Sequence, residues 1–177
     1  MLKKILVSLF LFFACSTLIM FAAERPRWIS MPLHVYIPEH GNYSRLMRKA
    51  FLAWEGKSNT LVRFKFISKP SNADIVVKFV DHVENCNSPN AVGCARARIN
   101  GKGFYAGASL EIAMRQLQSD NKYRPINNIY GVMLHEIGHA LGLDHSGSPD
   151  SVMYPYDLPT MQYLTNDDME LLYRKYR

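Results

Sequence analysis

His135, Glu136, His139 and His145 are the residues whose types and spacing could do chemistry, within the run His135-Glu136-Ile137-Gly138-His139-Ala140-Leu141-Gly142-Leu143-Asp144-His145. On a helix over 127–141, His135 and His139 stand at i and i+4, so both imidazoles share one face and can close on a single metal ion. Glu136 then lies beside the metal rather than on it, where a carboxylate can take a proton from bound water. Gly142 stops the helix, because a residue without Cβ enters the left-handed region at low cost and lets the chain reverse. The reversal brings His145 back as a third ligand. Three neutral imidazoles leave a fourth tetrahedral position open, which separates catalytic zinc sites from structural ones. A lone His on a helix is ordinarily a core or surface residue, and a pair with Glu between them still arises by chance. The helix-ending Gly and the third His at fixed spacing make chance a poor account. One catalytic zinc ion is expected.

The elements that must position these side chains follow from hydrophobic period. Leu33 to Ile37 alternates like a strand and is bounded by Pro32 and Pro38. Asn42 or Ser44 is placed to cap a helix whose Leu46, Met47, Ala50, Phe51 and Trp54 recur at helical spacing up to Gly56. A second strand runs through Val62, Phe64 and Phe66, and a third, more continuously apolar, from Ala73 to Val80. Gly93 to Ile99 reads as a short strand with Arg96 and Arg98 on one side and small residues on the other, a pattern suited to a sheet edge. Ala108 to Met114 is a fifth strand, Gln116 to Arg124 is polar and loop-like, and Pro125 is expected to help start the His135 helix. Thr165 with Asp168 resembles a capping box for a last helix bearing Met169, Leu171, Leu172 and Tyr176. The order strand, helix, strand, strand points to an α+β (α/β-like) domain: a βα unit feeding a five-stranded mixed, twisted sheet, with three helices.

With 177 residues the chain suits one domain with a real core, and its net charge of +6 is scattered rather than blocked. Arg96 and Arg98, and Arg174, Lys175 and Arg177 at the end, read as solvated faces and a helix C-terminus, not as a nucleic-acid footprint. Residues 1–23 carry Lys3 and Lys4 before an apolar run and are read as an export signal outside the fold. Three modes of release stay open: cleavage after Ala14-Cys15-Ser16 or Phe21-Ala22-Ala23, lipidation of Cys15, or retention as an anchor. The expected location is secreted or periplasmic, with membrane contact only through that segment. Cys86 and Cys94 lie in a loop marked by Asn85, Asn87, Pro89 and Gly93, and in an oxidising compartment a disulfide is expected. Metal binding by this pair is the weaker alternative, since no His or further Cys accompanies it.

His135 to His145 followed by Met153 resembles the metzincin pattern of three zinc-binding His and a downstream Met-turn. Ser146 after the third His, the Ser151-Val152-Met153-Tyr154-Pro155 run, the Ala73-Asp74-Ile75 strand opening and Leu164-Thr165-Asn166-Asp167-Asp168 narrow the likeness to the matrixins, the family of the matrix metalloproteinase catalytic domains. The resemblance covers 28–177 and implies a metzincin zincin fold. It implies that His135, His139 and His145 ligate zinc, that Glu136 is general base and later proton donor, and that Met153 lies beneath the metal as a packing floor. Tyr154, Pro155 and Tyr156 would line the pocket for the residue after the scissile bond. The strand holding Ala95, Arg96 and Ala97 would pair with an extended substrate. Asp167 and Asp168 resemble an acidic pair that steadies the Met-turn and the mature N-terminus, and plain helix N-terminal charge explains them equally well.

Departures from the pattern are equally specific. No propeptide or cysteine-switch segment is expected between the signal and Trp28, so latency through a Cys on zinc is not expected. Only His82 lies between the third strand and the zinc helix, so a second, structural zinc is not expected. Asp74, Asp81 and Glu111 are the candidates for calcium, with no site traceable. Pro155-Tyr156 is one residue tighter than the usual Pro-x-Tyr, and His34, His40 and His82 read as surface or strand residues. The resulting expectation is a monomeric zinc metalloendopeptidase acting on protein or peptide substrates outside the cytoplasm. A narrow-specificity processing protease and a catalytically silent zinc-containing binding module are the alternatives; the intact Glu136 weighs against the module.

Overall fold

A computed structural model of the protein describes residues 26–84, 86, 91–117, 122–156 and 163–177. The export segment 1–23 and the loop residues Asn85, Asn87 and Pro89 lie outside the described residues. Among the described residues no helix is long and apolar enough to cross a membrane.

Five strands form the main sheet: β1 (Leu33–Tyr36), β2 (Phe64–Ile67), β3 (Ile75–Val80), β4 (Gly93–Ile99) and β5 (Tyr105–Ala113), in the order β2-β1-β3-β5-β4. β1 pairs parallel with β2 and β3, and β3 pairs parallel with β5. β4 runs antiparallel to β5 and ends the sheet on that side. The sheet is therefore mixed, as its sequence order predicts, and the Arg-bearing strand is an edge.

Between β1 and β2 the chain makes the crossover that parallel pairing requires, as helix α1 (Asn42–Lys57). Ser44, Met47, Ala50, Phe51 and Trp54 are its buried residues, three or four apart, so one stripe faces the core. Neither Asn42 nor Ser44 caps it. Gly41 occupies the N-cap at φ 53°, and the Ser44 hydroxyl instead accepts from the His40 amide and donates to the Pro38 carbonyl, tying the end of β1 to the helix.

The polar stretch after β5 departs from expectation. Arg115–Leu117 (β6) and Tyr123–Pro125 (β7) pair antiparallel as a separate small sheet, so Pro125 ends a strand and does not start the next helix. That helix, α2 (Ile129–Ala140), is capped by Asn128, whose side chain accepts from the Gly131 amide at 3.1 Å. α2 packs against α1 on one side and β4 and β5 on the other. Most of its surface is buried, and the open side carries the two His. α3 (Asn166–Tyr176) closes the chain with the capping box read from Thr165 and Asp168.

Candidate metal centre and its cleft

The C-terminal end of α2 is finished in full. Gly142 sits at φ +90°, its amide bonds to the His139 carbonyl (2.9 Å), and the Leu143 amide bonds to the Gly138 carbonyl (3.0 Å), a Schellman arrangement. The next two carbonyls receive side chains: the Trp28 indole N–H donates to Ala140 (2.8 Å) and the Tyr176 hydroxyl to Leu141 (2.8 Å). The four acceptors that a helix end leaves without partners are thus all satisfied. The reversal that returns His145 is fixed.

His139 Nε2 stands 3.0 Å from His135 Nε2 and 3.2 Å from His145 Nε2, and the three form a group fit to hold a metal ion. Nitrogens about 2.0–2.1 Å from a tetrahedral zinc lie roughly 3.3 Å apart, so the trio fits such an ion. The opposite ring nitrogens set the tautomer. His135 Nδ1 lies 2.6 Å from the Val152 carbonyl and His139 Nδ1 lies 2.8 Å from the Leu143 carbonyl. A carbonyl only accepts, so each Nδ1 carries the proton and each Nε2 presents its lone pair. Burial first, then the like charge of His139, pulls His135 down to about 4, and burial lowers His139 as well. Both are neutral at pH 7, the form that can ligate a metal.

Glu136 is 6% exposed, and burial lifts its carboxyl to about 8 against the pull of the Ala95 amide, which donates to it. A cation held by the imidazoles would lower that value again. Its seat is made by absence. A Cβ on Gly93 would lie 2.4 Å from Glu136 Oε1 and 2.5 Å from its Cγ, so only glycine admits the carboxyl there.

Met153 is fully buried beneath the ligand helix, where a Cβ on Gly138 would meet its Sδ at 2.2 Å. The turn above it is held by the Ser151 hydroxyl, which donates to Asp168 Oδ1 (2.6 Å) and accepts from the Met153 amide (3.0 Å). The Ser146 amide bonds to the Met153 carbonyl (2.8 Å). Asp168 also accepts from the Thr165 amide and hydroxyl, so the acidic residue serves the helix cap and the turn together, while Asp167 is exposed.

The three imidazoles and Glu136 line one open cleft of about 550 Å³, walled by Ala95 and Ala97 of β4 and by Tyr154, Pro155 and Tyr156 beyond the turn. The Tyr154 and Tyr156 rings meet edge-on at 5.4 Å, with Tyr156 largely exposed. Arg96 belongs elsewhere. Its guanidinium bonds to Glu111 (2.9 Å) and to the Glu84 carbonyl (2.8 Å), outside the cleft lining. Cys86 and Cys94 are joined as a disulfide at the cleft rim.

Comparison with known proteins adds the decisive observation: the family model described as Matrixin matches residues 34–177. The chain belongs to the matrixin family. Relatives of this matrixin include a macrophage metalloelastase of Rattus norvegicus, 30% identical over 86% of the chain and 34% of the relative. An interstitial collagenase of Sus scrofa is 31% identical over 82% and 32%. A probable matrix metalloproteinase of Invertebrate iridescent virus 3 is 32% identical over 66% and 33%. The chain spans about a third of the length of these relatives.

Matrixins are zinc-dependent, and in this one the His trio is the only group of three or more His, Cys, Asp or Glu residues set to hold a metal among the described residues. Asp74, Asp81 and Glu111 are not brought together. Asp74 engages His34, and burial pushing the Glu111 carboxyl up is outweighed by Arg96 and Lys78, which hold it below its usual range. His82 pairs with Glu84. What sequence reading missed is the support: Gly93, Gly138, Trp28, Tyr176 and the carbonyls of Leu143 and Val152. Gly138 lies inside the metal-binding run and Gly93 opens β4, so glycine at a strand start or mid-helix was the available signal. The carbonyls had none, because every residue owns one.

Proposed function

We propose that this matrixin is a zinc endopeptidase that hydrolyses peptide bonds in extended protein segments outside the cytoplasm. Residues 28–177 are its catalytic unit, and 1–23 direct export or serve as an anchor. The observation that carries the reading is the convergence of three imidazole Nε2 atoms in an open cleft with a buried carboxyl on the residue next to His135. His135, His139 and His145 hold the ion. A zinc ion there would supply Lewis acidity toward the peptide carbonyl and would acidify the attacking water. Glu136 takes the proton of the attacking water on its carboxylate and delivers it to the leaving amine, a role suited to a group whose burial keeps its affinity for protons high. Ala95 and Ala97, small and on an edge strand, leave room for an extended chain to lie alongside β4. Tyr154, Pro155 and Tyr156 border the far side, where the residue after the cut bond would rest.

The test is a mixed peptide library incubated with purified protein, with and without a chelator, alongside elemental analysis. Chelator-sensitive cleavage with one zinc per chain is expected, and Glu136→Gln should keep the zinc while losing 10²–10⁴-fold in kcat, on the order of a general base's contribution. Peptide binding without cleavage by the parent would favour a silent binding module instead.

A further inference from the structure

We propose that the Cys86–Cys94 disulfide is a positioning element for Glu136, pinning the start of the edge strand on which that carboxyl is seated. The inference deepens the proposed function, because it rests on Glu136 being the proton carrier. Cys94 stands between the two residues that make the seat: Gly93, whose missing Cβ leaves room for the carboxyl, and Ala95, whose amide donates to it. Among the described residues β4 is an edge strand, and Gly93, Cys94 and Ala95 have a ladder partner there on one side only, at Ile112, Glu111 and Leu110 of β5. One more ladder bond, from the Ala113 amide to the Val92 carbonyl, reaches back past Gly93. An edge held from one side opens first, since its hydrogen bonds have no second strand to protect them. The disulfide joins Cys94 to Cys86, eight residues earlier, with Cα atoms 6.1 Å apart. Arg96 ties the same approach segment once more through the Glu84 carbonyl, further from the seat.

The three imidazoles do not depend on this anchor. His135 and His139 sit on α2, oriented by the Val152 and Leu143 carbonyls, and His145 sits on the reversal after it. Breaking the disulfide should therefore move the base and leave the metal in place, a split that a general loss of structure would not produce. Cys94 is buried and Cys86 partly exposed, so a small reductant meets the bond from the Cys86 side.

A phosphine is the reductant to use, because dithiols also strip zinc. It supplies two electrons, both sulfurs are released as thiols, and water supplies their two protons and the oxygen of the phosphine oxide. Four measurements are made on the oxidised and the reduced protein: zinc content, kcat and KM on an extended chromogenic peptide, and hydrogen exchange at the Ala95 amide. The double variant Cys86→Ser/Cys94→Ala is measured in parallel, and reduction is repeated in Glu136→Gln. Expected are faster exchange at Ala95, kcat lower by roughly 10- to 100-fold with KM little changed, zinc retained, and no further loss of kcat in Glu136→Gln. Reoxidation should restore kcat to the reduced protein. Unchanged Ala95 exchange in the fully reduced protein overturns the inference whatever the activity. So does a loss of kcat accompanied by loss of zinc, or an equal loss in the Glu136→Gln background. If the parent cleaves no peptide while Ala95 exchange still responds to reduction, the proposed function fails and the anchoring of the Glu136 seat stands.

Discussion

Two glycines do as much for this site as the residues that carry its chemistry. Gly138 lets Met153 rest directly on the ligand helix, so Gly138→Ala must displace a fully buried sulfur and should destabilise the fold by roughly 1–3 kcal/mol. Urea melts of metal-free protein would measure it, and an unchanged midpoint would refute the contact. Glu136 makes a prediction of opposite sign. Its carboxyl titrates near 8 in the folded chain and near the ordinary 4.5 when unfolded, so the unfolded state releases its proton first as pH rises. The parent should therefore lose stability between about pH 4.5 and 8. Gln has no such proton, so metal-free Glu136→Gln should gain on the parent across that window and level off above it. His135, held near 4, contributes stability that is present above 6.5 and lost as pH falls through 4; being common to both proteins, it cancels in the comparison. A gap that stays constant from pH 4.5 to 8.5 would show that Glu136 is not desolvated. The His trio and the carboxyl beside it were legible in the sequence as candidates for a metal site, because imidazole and carboxylate at fixed helical spacing have few other uses. The seat at Gly93 was not legible, since it depends on a strand from elsewhere in the chain meeting the helix.

Elements were readable where one face packs and the other does not. α1 and α3 follow their apolar stripes, and β4 was recognisable as an edge from alternating Arg and small residues. The β6–β7 pair escaped because two strands of three residues, paired only with each other among the described residues, are too short to show an apolar alternation. Pro125 then looked like a helix start although Asn128 provides the cap. The end of α2 illustrates a further limit. Gly142 announced the stop, but the donors that complete it come from both extremes of the domain: Trp28 before β1 and Tyr176 in α3. The Tyr176 hydroxyl also accepts from the Trp28 amide, which makes it a bridge between the two. Removing that hydroxyl in Tyr176→Phe leaves the buried Leu141 carbonyl without its donor. The expected loss is roughly 1–3 kcal/mol, read as a shift in denaturant midpoint at unchanged slope. A midpoint equal to the parent's would mean that water replaces the hydroxyl and that this end of α2 is less closed than its geometry implies.

At the scale of the whole molecule, the last helix reaches His135 through a chain of polar contacts. Asp168, fully buried, receives the Ser151 hydroxyl; Ser151 receives the Met153 amide; and the Val152 carbonyl between them fixes His135 Nδ1. The acidic residue that reads in the sequence as helix-cap chemistry is therefore also the outermost support of the metal centre. The two readings of Asp168 are compatible because its two carboxylate oxygens divide the work: Oδ1 holds the turn and Oδ2 holds Thr165. Asp168→Asn separates them. An amide placed with its oxygen toward Thr165 still caps α3, but its NH₂ cannot accept the Ser151 proton and can only donate back to that hydroxyl, so the turn loses its charge-assisted tie while the helix keeps its start. Outer partners of metal-binding histidines are typically worth 10–100-fold in metal affinity. Asp168→Asn should therefore bind zinc weaker by about that factor, with helix content close to the parent's. Competition against a chromophoric chelator gives the affinity, and far-ultraviolet circular dichroism gives the helix content. Parental zinc affinity in a folded Asp168→Asn protein would confine Asp168 to capping. Weakened zinc with intact α3 would establish that the end of the chain sets the geometry of a ligand 33 residues before it.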